Sequence, residues 1–102
     1  MNITFKESKN IAQLLRDRKE TVSVAESSIG GLLSASLLAL PGASDYYMGG
    51  AVVYTMRARR RLLGVTKETL DLQEPLTEQY ATLLADATRT QLKSDWAIAE
   101  LG

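Results

Sequence analysis

Residues 21–31 read T-V-S-V-A-E-S-S-I-G-G. This is a short run rich in β-branched residues that ends in Glu26, Ser27 and Ser28 and passes through Gly30 and Gly31 into an apolar helical segment. The continuous Val22-Ser23-Val24-Ala25 character predicts a strand buried on both faces. A strand that turns directly into a helix is the building unit of an α/β fold. Such a turn lifts a serine hydroxyl out of the sheet and leaves backbone N–H groups aimed where negative charge can sit. That suits a nucleophile or a phosphate. The same letters also describe a helix N-cap serine followed by glycines for close helix-strand packing, and on these residues alone both readings stay open.

Working outward, Thr4 and Glu7 fit a capping box, and the helix after them carries Ile11, Leu14 and Leu15 on one face with Lys6, Lys9 and Arg16 turned away. Beyond the opening stretch, Ile29, Leu32, Leu33, Ser36, Leu37 and Leu40 recur at helical spacing, with Leu38 and Ala39 on another face, which predicts a substantially buried helix. Pro41, Gly42, Ala43 and Ser44 make a turn. A second strand is expected over 51–55, a short basic helix over 56–63 stopped by Gly64, and a long helix over 77–92 with Tyr80, Leu83, Leu84 and Ala87 inward. A third strand begins at Trp96 and runs to Leu101. The β-α-β-α-α-β order predicts an α/β domain with helices on the faces of a sheet.

Composition narrows the chemistry. A chain of 102 residues suits one domain, 1–102, with one core. Charged residues make up 24% and the formal net charge is zero, which leaves no global field to draw in nucleic acid or an anionic membrane. With no cysteine and no histidine, disulfides, thiolate metal sites and a histidine-based triad are excluded. The longest mostly apolar run, 29–40, is well short of the roughly 20 residues that span a bilayer, and the first residues lack a signal-peptide h-region. A cytoplasmic protein without membrane or nucleic-acid partners is expected.

Further motifs follow in a specific order. A-E-S-x-x-G-G at 25–31 is followed by P-G-x-S at 41–44, by G-x-x-x-Y-T-x-x-x-R from Gly50 to Arg59, and by L-L-G-V at 62–65. This series closely resembles the C-terminal domain of the CinA family, the nicotinamide mononucleotide deamidases, nearly gap-free from about residue 8 to Gly102. The resemblance implies a three-layer α/β/α sandwich with a mixed sheet. It also implies a cofactor-free, metal-free amidohydrolase that turns the carboxamide of nicotinamide mononucleotide into a carboxylate and releases ammonia. Self-association as a homo-oligomer is implied as well. In the family a Gly/Pro-rich substrate loop and further chain follow the third strand, so the sequence resembles a domain lacking its last third.

Carried over residue by residue, the resemblance puts the nucleophile on Ser27, the family's tyrosine on Tyr54, and its second catalytic residue, a lysine, on Arg59. Here the chain departs from the pattern, because a Ser-Lys dyad needs a neutral amine to take the serine proton, and arginine stays protonated in proteins. No lysine lies between Lys19 and Lys67 to restore one. Arg59 and Arg57, with Arg60 and Arg61, remain candidates for binding a substrate phosphate bidentately, or form a solvated helix face. Ser28 stands where the family commonly has cysteine and Ile29 where it has threonine. These two, with Gly30 and Gly31, are the expected substrate-binding turn, the backbone N–H groups of Ile29 to Gly31 serving as oxyanion donors. The glycines equally allow close approach of a neighbouring strand. Glu26 either orients a catalytic group or favours the helix N-terminus electrostatically. Tyr46 and Tyr47 are candidates for stacking on a ring, or for packing and subunit contact. A nucleotide-binding member with little catalysis is the alternative to an active enzyme.

Overall fold

The computed structural model describes residues 6–102. Thr4 of the expected capping box lies outside them. Helix α1 (Lys6–Arg18) leads into strand β1 (Val22–Glu26), followed by α2 (Leu32–Leu38), a 3-10 turn (Ala43–Asp45), β2 (Tyr47–Val52), α3 (Met56–Leu63), α4 (Lys67–Leu70), α5 (Glu78–Leu92) and β3 (Trp96–Ala99). The sheet order is β2-β1-β3. Both partners run parallel to β1, with Ala25 opposite Ala51 on one side and Ala99 on the other. Parallel neighbours need crossover connections, and the helices supply them. An antiparallel strand, which a mixed sheet requires, is absent among the described residues.

All five residues of β1 are buried, as the uninterrupted apolar pattern predicts for a central parallel strand. Its alternating side chains serve two cores. Val22 and Val24 pack with Ala12 and Leu15 of α1, Leu37 of α2 and Tyr46. On the opposite face Ala25 packs with Val53, Leu63 of α3, Leu70 of α4, and Tyr80 and Leu84 of α5. The result is three layers, α1 and α2 over the sheet and α3 to α5 beneath it. Each fully buried leucine contributes roughly 1.5–3 kcal/mol relative to exposure, so both faces are needed to hold β1 in place.

Several local expectations are corrected. The inward face of α1 is centred on Ser8, Ala12 and Leu15, at the i, i+4, i+7 spacing, which leaves Leu14 58% exposed at its margin. Arg16 is not turned away. It lies over the Tyr46 ring, 5.3 Å from the centroid, and donates to the Pro41 carbonyl. Helix α2 is shorter than its apolar spacing suggests, because Gly30 and Gly31 hold left-handed φ values of 62° and 102° and delay its start to Leu32. Leu32, at its first position, is consequently exposed, and Leu38 is exposed on the other face, as expected. Strand β2 falls at Tyr47–Val52 rather than 51–55. Its Gly50 is required by close approach, since a Cβ there would lie 2.7 Å from the Val24 carbonyl oxygen and 2.8 Å from the Tyr47 hydroxyl.

Helix α3 has the expected bounds, capped by Thr55, whose hydroxyl accepts from the Ala58 N–H, and stopped by Gly64 in a left-handed conformation. Thr77 caps α5 in the same way through the Tyr80 N–H. The fully buried Tyr46 donates its hydroxyl to the Leu37 carbonyl at 2.6 Å. It is therefore a packing residue and not a stacking platform. Strand β3 ends earlier than expected, although the Glu100 N–H still reaches the Ala25 carbonyl at 2.9 Å. No helix of the described residues is long and apolar enough to cross a membrane.

Candidate active site

The carboxyl end of β1 delivers Glu26, Ser27 and Ser28 to the rim of the sheet, where parallel α/β sheets present their functional groups. Glu26 is 1% exposed. One of its carboxylate oxygens accepts from the Leu33 N–H at 2.8 Å and the other from the Ser34 N–H at 3.0 Å. Two donors of the first turn of α2 are thereby satisfied. Of the two roles open to Glu26, the geometry selects the electrostatic anchor of α2. Its backbone carbonyl also accepts from the Val53 N–H at 2.7 Å, fixing the segment that leads to Tyr54 and α3.

Ser27 is 7% exposed. Its hydroxyl oxygen accepts from Nη2 of Arg59 at 3.3 Å. The Arg59 guanidinium is held from several sides. Nε donates to the Val53 carbonyl at 2.9 Å, Nη1 to the Tyr80 hydroxyl at 3.1 Å, and Nη2 also to the Tyr54 carbonyl at 3.3 Å. The Tyr80 ring lies under it, 5.4 Å from the guanidinium carbon. Planar forks and stacking suit arginine in a way a lysine could not copy. Arg59 is thus built into the site as a fixed positive charge beside Ser27.

Tyr54 joins this group through its backbone carbonyl. Its side chain is 70% exposed, beyond the end of β2. Arg57 is also exposed, on α3, and makes no salt bridge among the described residues. The sequence places Ser27, Tyr54 and Arg59 together, and the Arg59 guanidinium does reach the Ser27 hydroxyl and the Tyr54 carbonyl, whereas the Tyr54 side chain stays exposed. Tyr80 was read only as an inward-facing core residue. Its burial was legible in the spacing of α5, but nothing local indicated that its hydroxyl would meet Arg59.

The other residue missed is Glu100. One oxygen of its carboxylate accepts from the backbone N–H of Ser27 at 2.8 Å and of Ile29 at 3.2 Å, and the other accepts from the Ser28 hydroxyl at 2.5 Å. Burial works against its charge, but the hydrogen bonds from the Ser28 hydroxyl and from backbone N–H groups outweigh it and hold the carboxyl below the ordinary glutamate range. Of the N–H groups expected to serve an oxyanion, that of Ile29 is therefore engaged by a carboxylate of the chain itself, and that of Gly30 donates to the Ser27 carbonyl at 3.2 Å. An open groove of about 410 Å³, lined by Leu76, Thr77, Ala81, Ala99, Glu100 and Gly102, shares Glu100 with this contact but none of Ser27, Ser28 and Ile29. Gly30 and Gly31 contribute backbone conformation rather than close approach, since a Cβ on Gly30 would meet nothing within 4 Å and one on Gly31 only the Val52 side chain at 3.7 Å. Among the described residues no group of three or more histidine, cysteine, aspartate or glutamate side chains could hold a metal ion.

The fold is a three-layer α/β domain whose central strand is followed at once by a buried serine beside a held guanidinium. The chain belongs to the CinA C-terminal domain family, whose pattern matches residues 5–102. It is 41% identical over 92 residues to a CinA-like protein of Synechocystis sp., covering 90% of this chain and 22% of that protein. It is 35% identical over 101 residues to a CinA-like protein of Pseudothermotoga lettingae, covering 99% of this chain and 24% of the relative. The chain thus spans about a quarter or less of these curated relatives. Among solved structures, a competence-damaged protein (CinA) superfamily protein from Enterobacter cloacae superposes with a TM-score of 0.85 at 36% identity, covering all of this chain and 61% of that one.

Proposed function

We propose that the chain is an amidohydrolase that deamidates nicotinamide mononucleotide to nicotinic acid mononucleotide and ammonia, with Ser27 as nucleophile and a slow turnover. The observation that carries this reading is the 3.3 Å contact between Arg59 Nη2 and the Ser27 hydroxyl oxygen. In the step envisaged, Ser27 Oγ bonds to the carboxamide carbon while a guanidinium hydrogen bond stabilises charge on the oxygen. The C–N bond then breaks, ammonia departs with the serine proton, and water hydrolyses the resulting ester to free the carboxylate and restore Ser27.

The difficult part is the proton. Arg59 cannot accept it, both oxygens of Glu26 are committed to α2, and the one hydrogen-bond partner of Ser27 Oγ among the described residues is Arg59. General acid–base catalysis contributes about 10²–10⁴ in rate, and that is the factor missing here. The same observation supports a second reading, a nucleotide-binding member of the family with little or no chemistry. Ammonia release from nicotinamide mononucleotide, measured beside calorimetric binding of the same compound, separates the two. Release that is slow but abolished in Ser27→Ala supports the enzyme; micromolar binding without ammonia supports the binding module.

A further inference from the structure

Three donors of one turn converge on the Glu100 carboxylate: the backbone N–H groups of Ser27 and Ile29 and the Ser28 hydroxyl. Converging N–H groups of this kind form a concavity that selects anions. Glu100 is well placed to fill it. Its own N–H extends the β1–β3 ladder to the Ala25 carbonyl at 2.9 Å, so the backbone beneath the side chain is fixed in the sheet. Two residues on, Gly102 runs so close to Ser28 that a Cβ would not fit. Ser28 and Ile29 are exposed and Glu100 is partly so, which leaves the contact open to solvent and to competing solutes.

We propose that Glu100 is an autoinhibitory internal anion: its carboxylate occupies an oxyanion-binding turn at 27–29, and an external carboxylate or phosphate group enters that turn only by displacing it. A ligand anion and the Glu100 carboxylate cannot share the donors, since two like charges at hydrogen-bond separation repel. The contact therefore sets the affinity of the turn for anions and keeps it low while Glu100 is ionised and seated. Arg59 donates to the Ser27 hydroxyl, whereas Glu100 accepts from the Ser27 N–H, so the two charged side chains act on different atoms of the same residue. This inference deepens the reading of the Ser27 turn as the reacting site, and its binding test does not depend on that reading.

The test follows the backbone amide signals of Ser27, Ser28 and Ile29 by NMR at neutral pH while inorganic phosphate, and separately acetate, is added to the full chain, to Glu100→Ala and to Glu100→Gln. In the unmodified chain these amides should respond only weakly. In Glu100→Ala they should shift saturably, with an apparent affinity for phosphate at least about tenfold tighter, and Glu100→Gln should move in the same direction by a smaller factor. Saturation by phosphate but not acetate assigns the turn to phosphate groups, and the converse assigns it to carboxylates; either supports the internal-anion role. Equal affinity in the unmodified chain and both variants overturns it, as does a folded Glu100→Ala or Glu100→Gln whose three amides respond to neither anion. If Glu100→Ala does not fold, Glu100→Gln alone decides. Absence of ammonia release in every protein, with the amide shifts as expected, would overturn the enzymatic reading and leave the internal anion standing.

Discussion

Nη2 of Arg59 lies 3.3 Å from the hydroxyl oxygen of Ser27, and the same guanidinium is fixed by the Val53 carbonyl and the Tyr80 hydroxyl. A side chain so held stabilises charge at Ser27 but cannot remove its proton. Arg59→Lys should therefore raise ammonia release from nicotinamide mononucleotide by at least about tenfold, because an amine can act as a general base. The gain should appear in kcat more than in KM. Loss of the fork to Val53 and Tyr80 should at the same time lower thermal stability, so the folded fraction is checked by circular dichroism in both proteins. No change in kcat would remove position 59 from the proton transfer.

Glu26 offers a contrast. It is buried, with both oxygens on the first turn of α2, so Glu26→Ala leaves two donors without partners. Charge-assisted bonds of this kind contribute about 1.5–3 kcal/mol each, and a net loss of about 2–3 kcal/mol is expected in urea unfolding. Glu26→Gln, which keeps one acceptor, should lose less. A stability unchanged by Glu26→Ala would contradict the anchoring role.

The acid limb of stability should carry the mark of Glu100. Burial opposes its charge, yet hydrogen bonds from the Ser28 hydroxyl and the backbone lower its folded-state pKa below the ordinary glutamate value of about 4.3. The unfolded chain then binds more protons in that window, so stability rises with pH there. The contribution is complete above the ordinary value and is lost as pH falls through the lowered one. The stability difference between the unmodified chain and Glu100→Gln should be largest near neutrality and shrink below about pH 4. A difference that stays constant from neutral to acid pH would contradict the assignment.

The fold was legible where local chemistry and tertiary demand agree. Val22, Val24 and Ala25 announce a central strand, and Thr55 and Gly64 bracket α3 at both ends. Strand β2 was misplaced because Gly49 and Gly50 are poor strand formers by propensity, and pairing with β1 imposes the strand there. Ser27 and Arg59 could be named from their motifs. The Glu100 contact could not, since it joins residues 71 to 73 positions apart through two donors that every backbone carries and one exposed serine hydroxyl. Tyr80 was hidden for a related reason: one spacing pattern encodes both its burial and its polar tip.

Among the described residues strand β3 pairs on one side only, and an apolar groove of about 290 Å³ lies beside it, with Leu14, Trp96 and Ile98 in its lining. Unpaired strand edges next to apolar surface favour association. We expect the chain to self-associate through this edge, with Trp96→Glu or Leu14→Glu shifting it towards monomer in sedimentation velocity at tens of micromolar. A monomer at that concentration before any substitution would remove this expectation.

Ser27 and Ser28 are adjacent, yet Ser27 Oγ faces the Arg59 guanidinium and Ser28 Oγ faces the Glu100 carboxylate. Ammonia release from nicotinamide mononucleotide should be measured for the unmodified chain, Ser27→Ala and Ser28→Ala, each verified as folded. At least about a hundredfold loss is expected in Ser27→Ala, and no comparable loss in Ser28→Ala. Full activity in Ser27→Ala, or loss confined to Ser28→Ala, would contradict it.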